Sequence, residues 1–459
     1  MASSIGVFTE CLRQRALVYG DVHETRRTLD LAESRRLQAA RGVNHAGPAG
    51  AAHVETRGAS MKYPSKARSV APVITAGIVA AAFAGGAVAS ASVRPAFKPP
   101  TLSISQFNRT FSAMAKLKPL AAQGSGMIAA ILPDTVTSTR YTEFDAPYLK
   151  KAFQTAGLKP SQYVVQNALG STSTQFTDAQ ADISKGTKVL IIDPLDSGVG
   201  ARIELYAKAR GVKVIDYDRL TLGGYRTYYD SFNNVVVGNL IGTGFESCVA
   251  AWHVSKPQVV EMYGAPTDNN ATLFGDGYNQ ILGPLFKSGK YTLAASTAGT
   301  WTPDVAETEF QQAVTAHKNI NSAVIPNDEN AAPIISYLKN LGVKPKTFPI
   351  TGQDATLTGL QNILSGYQCG TVYKPIYLEA QAAVALGMFL RAGLTPPKTL
   401  VNGMTLDSKT HTKVPSVLLK PEWVTAANMA STVVADNFVP ASQICTSAYA
   451  SECSAAGIK

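Results

Sequence analysis

Cysteine is scarce, with five in 459 residues, and no two of them are spaced Cys-x-x-Cys. From residue 92 onward histidine occurs only at His253, His317 and His411, far apart along the chain. A zinc site and a Cys–His nucleophilic pair therefore have no basis. The glycine-rich phosphate loops are missing, as are Gly-x-Ser-x-Gly and His-Glu-x-x-His, so neither a nucleotide cradle nor a hydrolase signature is present. Charge is thin at 16% of residues, and although the net charge is +10, Lys and Arg form no tract interleaved with aromatics. That argues against a nucleic-acid partner. The 37 Gly and 25 Pro follow no three-residue period, which excludes a collagen-like chain. What remains is a globular protein, 45% hydrophobic with a mean hydropathy of +0.02 and long enough for two or three domains.

One long uncharged run exists, from Val70 to Val88, preceded by Lys62, Lys66 and Arg68 and ending in Ala87-Val88-Ala89 or Ala89-Ser90-Ala91. A basic start, an apolar middle and a small-residue end form the layout of a cleavable secretory signal, here residues 61–91. The run approaches the ~20 residues that span a bilayer, but its Ala and Gly richness makes a poor anchor. Residues 1–60 carry Arg but no Lys and read as an upstream extension to a chain that starts at Met61. A Pro-containing connector, 92–124, leads into the folded part. In an exported chain Cys248, Cys369, Cys445 and Cys453 meet oxidising conditions. Cys445 and Cys453 flank a short polar stretch, so one disulfide is expected there, with Cys248 and Cys369 left free as small buried hydrophobes.

Beyond Ser92, Val- and Ile-rich runs alternate with stretches of helical period. The first set comprises 127–132, 163–168, 188–193, 212–218 and 227–232; the second comprises 258–264, 291–296, 322–326, 347–352 and 370–374. Helix-like segments such as 145–157, 174–185 and 198–210 lie between them. The pattern predicts an α/β protein of two doubly wound parallel-sheet lobes. The runs end on polar pairs: Pro133-Asp134, Asp193-Pro194, Asp218-Arg219, Asn233-Asn234, Asn327-Asp328 and Gln353-Asp354. One strand-end Asp or Asn is commonly an N-cap, but ligands of open α/β sheets also bind at these strand ends. Carboxylates, amides, Arg and Lys beside Tyr141 and Trp301 suit a polyhydroxylated ring with apolar faces.

Several motifs occur in order: Thr139-Arg140-Tyr141, VIDYDR ending at Arg219, SFNN at 231–234, GAPTDNNATLF at 264–274, PND at 326–328, TGQDA at 351–355 and TVYKP at 371–375. Through them the stretch from about Met127 to Phe438 resembles the periplasmic sugar-binding proteins of ABC transporters, of the type I solute-binding fold, and its xylose-binding members above all. The resemblance implies a ligand set of Arg140, Tyr141, Asp218, Arg219, Asn269 or Asn270, Trp301, Asn327, Asp354 and Lys374, with Tyr141 where the family usually has Trp. Asn233 and Asp193 depart from the family pattern. The resemblance further implies a hinge of three crossovers, near 233, near 372 and near 408–414. The first lobe would then be 125–232 plus 375–407, and the second 234–371 plus 415–459. The implied function is non-enzymatic: a monomer in the periplasm that needs no cofactor or metal, captures D-xylose or a related aldopentose, and serves an ABC permease and also a chemoreceptor. Two other readings compete. A sugar-responsive transcription regulator shares the fold but would need a DNA-binding segment where the export signal lies. A carbohydrate-active enzyme would use two carboxylates such as Asp218 and Asp354.

Overall fold

The computed structural model describes residues 97–459, so the expected extension 1–60 and the expected export signal 61–91 lie outside the described residues. The first lobe is built on a seven-stranded sheet. Its strands in chain order are β1 (Met127–Leu132), β2 (Tyr163–Asn167), β3 (Thr187–Ile192), β4 (Lys213–Tyr217) and β5 (Tyr228–Phe232), then β10 (Gly403–Asp407) and β11 (Thr412–Leu419) from late in the chain. The spatial order is β10-β11-β5-β4-β3-β1-β2, parallel throughout except for β10. β1 and β3 are nearly continuous apolar runs because both faces are covered. One face carries the helix Ile376–Arg391, buried at almost every position, and its apolar residues fill the core with Ile128, Ile191 and Ile215.

The second lobe contains β6 (Gln258–Glu261), β7 (Thr292–Ser296) and β8 (Ser322–Val324), ordered β7-β6-β8 and parallel. The run expected at 347–352 adds only a bridge, Ile350 to Ala323, and a second bridge, Gln353 to Val372, carries the sheet on to β9 (Thr371–Tyr373). β9 pairs antiparallel with β12 (Glu422–Val424). Helices Asn234–Ala251 and Asn269–Lys287 cross here in close contact. At their crossing a Cβ on Gly238 would stand 2.2 Å from the Phe274 carbonyl oxygen, so only glycine permits the approach.

The chain passes between lobes after Phe232, after Tyr373 and between Leu419 and Glu422. The third passage differs from the expected 408–414. Residues 408–411 form the turn of the β10–β11 hairpin and 412–414 begin β11, and both strands belong to the first sheet, so 415–419 is first-lobe structure. The described part of the connector also differs from expectation. Leu102, Phe107, Phe111, Met114, Leu117 and Leu120 are buried in the first-lobe core. At the other end Met429, Val433, Phe438, Ile444, Cys453 and Ile458 pack with Leu360, Ile363 and Tyr373 of the second lobe. Phe438 also stacks on Phe144 of the first lobe with ring centroids 3.9 Å apart.

Both disulfides are formed. Cys445–Cys453 closes the expected local loop, and Cys248–Cys369 corrects the expectation of two free thiols. The second bridge joins the helix that follows the first passage to the segment just before β9, two places 121 residues apart in sequence. No helix among the described residues is long and apolar enough to cross a membrane.

Candidate functional site

The carboxyl ends of the strands of both lobes face one cavity. Arg140, Tyr141, Asp218 and Arg219 line it from the first lobe; Asn270, Trp301, Asn327, Asp354 and Lys374 line it from the second lobe and the second passage. Asn269 is the exception. It lines a separate groove with Tyr229, Leu273, Met404 and Leu406. The reason is helical phase: Asp268 caps the helix that follows by accepting from the Asn270 backbone N–H at 2.9 Å, and adjacent residues in a first turn point about 100° apart.

Arg140 is a hub. Its Nε and Nη2 donate to Asp145 at 2.8 Å each, Nη2 also to Glu379 at 2.6 Å, and Nη1 to Asp218 at 2.8 Å. A guanidinium has five N–H groups, so one Nη1 hydrogen remains without a partner among the described residues. Its first task is to hold Asp218. Burial alone would raise the pKa of that carboxyl, but Arg140, Lys374 and Arg219 more than offset burial and keep it below the ordinary carboxylate range. Burial pushes Glu379, beneath Arg140, up to about 8.

Arg219 donates from Nη2 to the Tyr141 hydroxyl at 2.9 Å and from Nη1 to the carbonyls of Pro194 and Leu195. Its Nε lies 3.2 Å from Asp268 in the opposite lobe and 3.6 Å from Asp193. Asp193 is fully buried, and burial holds its pKa well above the ordinary range. Lys374 joins the two sides. Its Nζ is 2.8 Å from Asp354 and 4.0 Å from Asp218, so one buried ammonium serves a carboxylate from each lobe. Burial lowers the pKa of Lys374, while Asp354 and Asp218 raise it further than burial lowers it.

Asn270 is occupied structurally as well as lining the cavity. Its Nδ2 donates to the Asp218 carbonyl at 3.0 Å, and its Oδ1 accepts from Asn234 at 2.9 Å. Asn327 caps its helix through the Asn330 N–H and donates to Glu329 at 3.2 Å. Asn233 and Asp134 serve their own loops: Asn233 accepts from the Val236 N–H, and Asp134 accepts from those of Val136 and Thr137. For these two polar strand ends the capping role accounts for the residue.

Asp218 and Asp354 share a backbone feature that sequence does not announce. Their φ angles are +57° and +88°, with Ala355 at +49°, in the left-handed region that non-glycine residues rarely adopt. Asp328 holds the Asp354 loop by accepting from the Thr356 N–H at 2.9 Å, Gln368 at 2.7 Å and the Thr371 hydroxyl at 3.1 Å. Burial pushes Asp328 up to about 7 despite these donors.

Sequence reasoning missed Thr137, Ser138, Asp268 and Phe274, which line the cavity, as does Gln353, read there only as a polar strand end. Asp268 carried a usable signal, a Thr-Asp-Asn-Asn run just before a helix, which marks an N-cap at a strand end. It also accepts from the Trp301 indole N–H at 3.0 Å and so sets the ring of that wall. Trp301 meets Phe274 edge-on at 6.3 Å. Carboxylates, two guanidinium groups, one ammonium and amides, beside aromatic walls, grip hydroxyls and cover apolar ring faces.

Comparison with known proteins bears on the family. A family profile described as a periplasmic binding protein domain matches residues 128–394. The D-xylose-binding periplasmic protein of Escherichia coli is 35% identical over 301 residues, 65% of this chain and 86% of the relative. A multiple sugar-binding periplasmic protein of Azospirillum brasilense is 30% identical over 366 residues, 74% of this chain and 99% of the relative. The carbohydrate transporter solute-binding protein of Chloroflexus aurantiacus, solved with D-glucose, superposes with a TM-score of 0.62 at 25% identity, covering 70% of this chain and 98% of that one.

Proposed function

Because the chain belongs to the periplasmic binding protein family, we propose that it captures a monosaccharide between its lobes in the periplasm and delivers it to an ABC permease. The observation that carries this reading is Lys374, buried between Asp354 of one lobe and Asp218 of the other, in a cavity lined by hydroxyl-gripping groups and aromatics. A ligand with hydroxyls on both edges engages both carboxylates at once, and closing the lobes around it removes it from water. Within the class we assign D-xylose or a close aldopentose. The xylose-binding relative of E. coli supports that choice, while the glucose complex and the multiple-sugar relative make D-glucose its direct competitor.

The enzymatic reading through Asp218 and Asp354 is weaker on electrostatic grounds. A glycosidase needs a carboxylic acid that carries its proton at working pH. Asp218 is held below the ordinary range by three cations, and Asp354 is ion-paired with Lys374. The two disulfides suit an oxidising compartment such as the periplasm.

The test is calorimetric titration and thermal shift of the exported chain against D-xylose, L-arabinose, D-ribose, D-glucose and a control amino acid. A ligand at a hundred times its Kd adds about 2.7 kcal/mol of apparent stability. Stabilisation by an aldopentose is expected. A shift with the amino acid and with no sugar would overturn the assignment.

A further inference from the structure

Glu329 contacts the opposite lobe without belonging to the cavity wall. It stands in the first turn of the helix Asp328–Asn340 of the second lobe. Its Oε1 accepts from the Thr139 backbone N–H at 2.9 Å, the Ser138 hydroxyl at 3.0 Å and the Thr139 hydroxyl at 3.3 Å, all from the first-lobe loop after β1. Its Oε2 accepts from Asn327 at 3.2 Å within its own lobe. The loop it grips runs directly into Arg140 and Tyr141, which do face the cavity.

We infer that Glu329 is a positioning residue, a latch between the lobes that stabilises the closed arrangement and sets the affinity for every sugar by the same factor. This rests on the sugar-capture reading above. The argument is one of linkage. Apparent affinity is the intrinsic affinity scaled by the fraction of protein in the binding-competent arrangement. A contact made only when the lobes meet, and not made to the ligand, raises that fraction for all ligands alike. Residues that touch the sugar, by contrast, change the ranking among sugars, because each ligand presents them a different set of hydroxyls. Glu329 has the geometry of the first kind: three donors on a single oxygen, all from protein.

The experiment compares wild type with Glu329→Ala and Glu329→Gln in two assays. The first is amide hydrogen exchange of the peptide covering residues 133–145 without sugar; the second is calorimetric Kd for D-xylose, L-arabinose and D-glucose. Glu329→Ala is expected to speed exchange in that peptide and to weaken every sugar that binds by a common factor, the two factors multiplying to about ten, the scale of one lost hydrogen-bonded contact, because the closed share of the sugar-free protein decides how the loss divides between them. Glu329→Gln keeps an oxygen in place and is expected to restore both at neutral pH. If Glu329→Ala fails to fold, Glu329→Asp, one methylene too short to reach, is read in its place and is expected to behave as the alanine variant does. Unchanged exchange together with unchanged affinity, a change in the ranking of sugars, or failure of Glu329→Gln to rescue would each overturn the latch. Should wild type bind no sugar, the capture reading falls, and the exchange assay still decides whether Glu329 joins the lobes.

Discussion

Replacing Lys374 by Met keeps the volume of the side chain and removes the only ammonium bordering the cavity among the described residues. Lys374 lies 2.8 Å from Asp354 and 4.0 Å from Asp218, and all three are buried. Two unit charges at 4.0 Å attract by about 4 kcal/mol at an effective dielectric near 20. Desolvation offsets much of that when a pair forms, but removing one partner of a buried pair strands the other and typically costs ~3–5 kcal/mol. In Lys374→Met the loss falls mainly on the closed form, because opening the cleft returns Asp354 to water. Sugar affinity at pH 7.5 should therefore drop by at least a hundredfold, while the melting temperature without sugar falls by only a few degrees. The sign with pH is definite. Without the ammonium, carboxylates brought together on closure bind a proton more readily than in the open form, so closure is favoured as pH falls. Affinity of the variant should recover in part between pH 7.5 and pH 5, measured by calorimetry in matched buffers. Wild-type affinity in Lys374→Met, or affinity that weakens further as pH falls, would refute the reasoning.

Asp218→Ala and Asp354→Ala should each weaken sugar binding roughly tenfold to a hundredfold, the cost of a charged hydrogen bond, with an unchanged circular dichroism spectrum. Asn269→Ala should bind as wild type does, whereas Asn270→Ala, which frees the Asp218 carbonyl, should weaken binding about tenfold; calorimetry separates the two. Burial, with the acidic Asp354 and Asp328 as its charged neighbours, pushes Glu329 up to about 8, while the first lobe offers it only hydroxyls and one N–H. Its closed-state pKa thus lies above its value in an open cleft, so the stabilisation is full below the open-form pKa and is lost as pH rises through 8. Affinity should decline over that window, and Glu329→Gln should flatten the profile. Replacing Cys248 and Cys369 together by Ser removes a cross-link between points 121 residues apart, for which the chain-entropy model gives about 4–5 kcal/mol, and scanning calorimetry should show the melting temperature fall.

The parts of this fold that were legible in sequence are those where burial on both faces leaves no room for polar residues. β1 and β3 are such runs, and so is the heavily apolar helix Ile376–Arg391. β10 and β11 were not legible. β10 is an edge strand whose Met404 and Leu406 are exposed, and β11 contains Pro415, a residue that argues against a central strand. The structure accommodates it because pairing of β11 with β5 begins one residue later, at Ser416. Within the site, Asp218 and Asp354 were legible as polar ends of apolar runs. The division of labour between Asn269 and Asn270 was not, since it depends on where the helix is capped. Nor could spacing pair Cys248 with Cys369, which meet only once the second lobe has formed.

The three passages of the chain between lobes bear on how this protein is made. Neither lobe is a continuous stretch of sequence. Until residues 376–391 have been synthesised, the first-lobe sheet keeps one face bare, with Ile128, Ile191 and Ile215 open to water, and β5 lacks its second neighbour, β11, until Leu419. The second lobe in turn waits for β12 and the C-terminal residues that cover Leu360 and Ile363. Contacts so distant in sequence form slowly, because the loop they close must be ordered before they contribute anything. A nascent chain therefore stays unfinished until almost all of it has left the ribosome. Under the proposed periplasmic role, that delay would keep the polypeptide threadable during passage across a membrane and confine completion of both lobes to the far side.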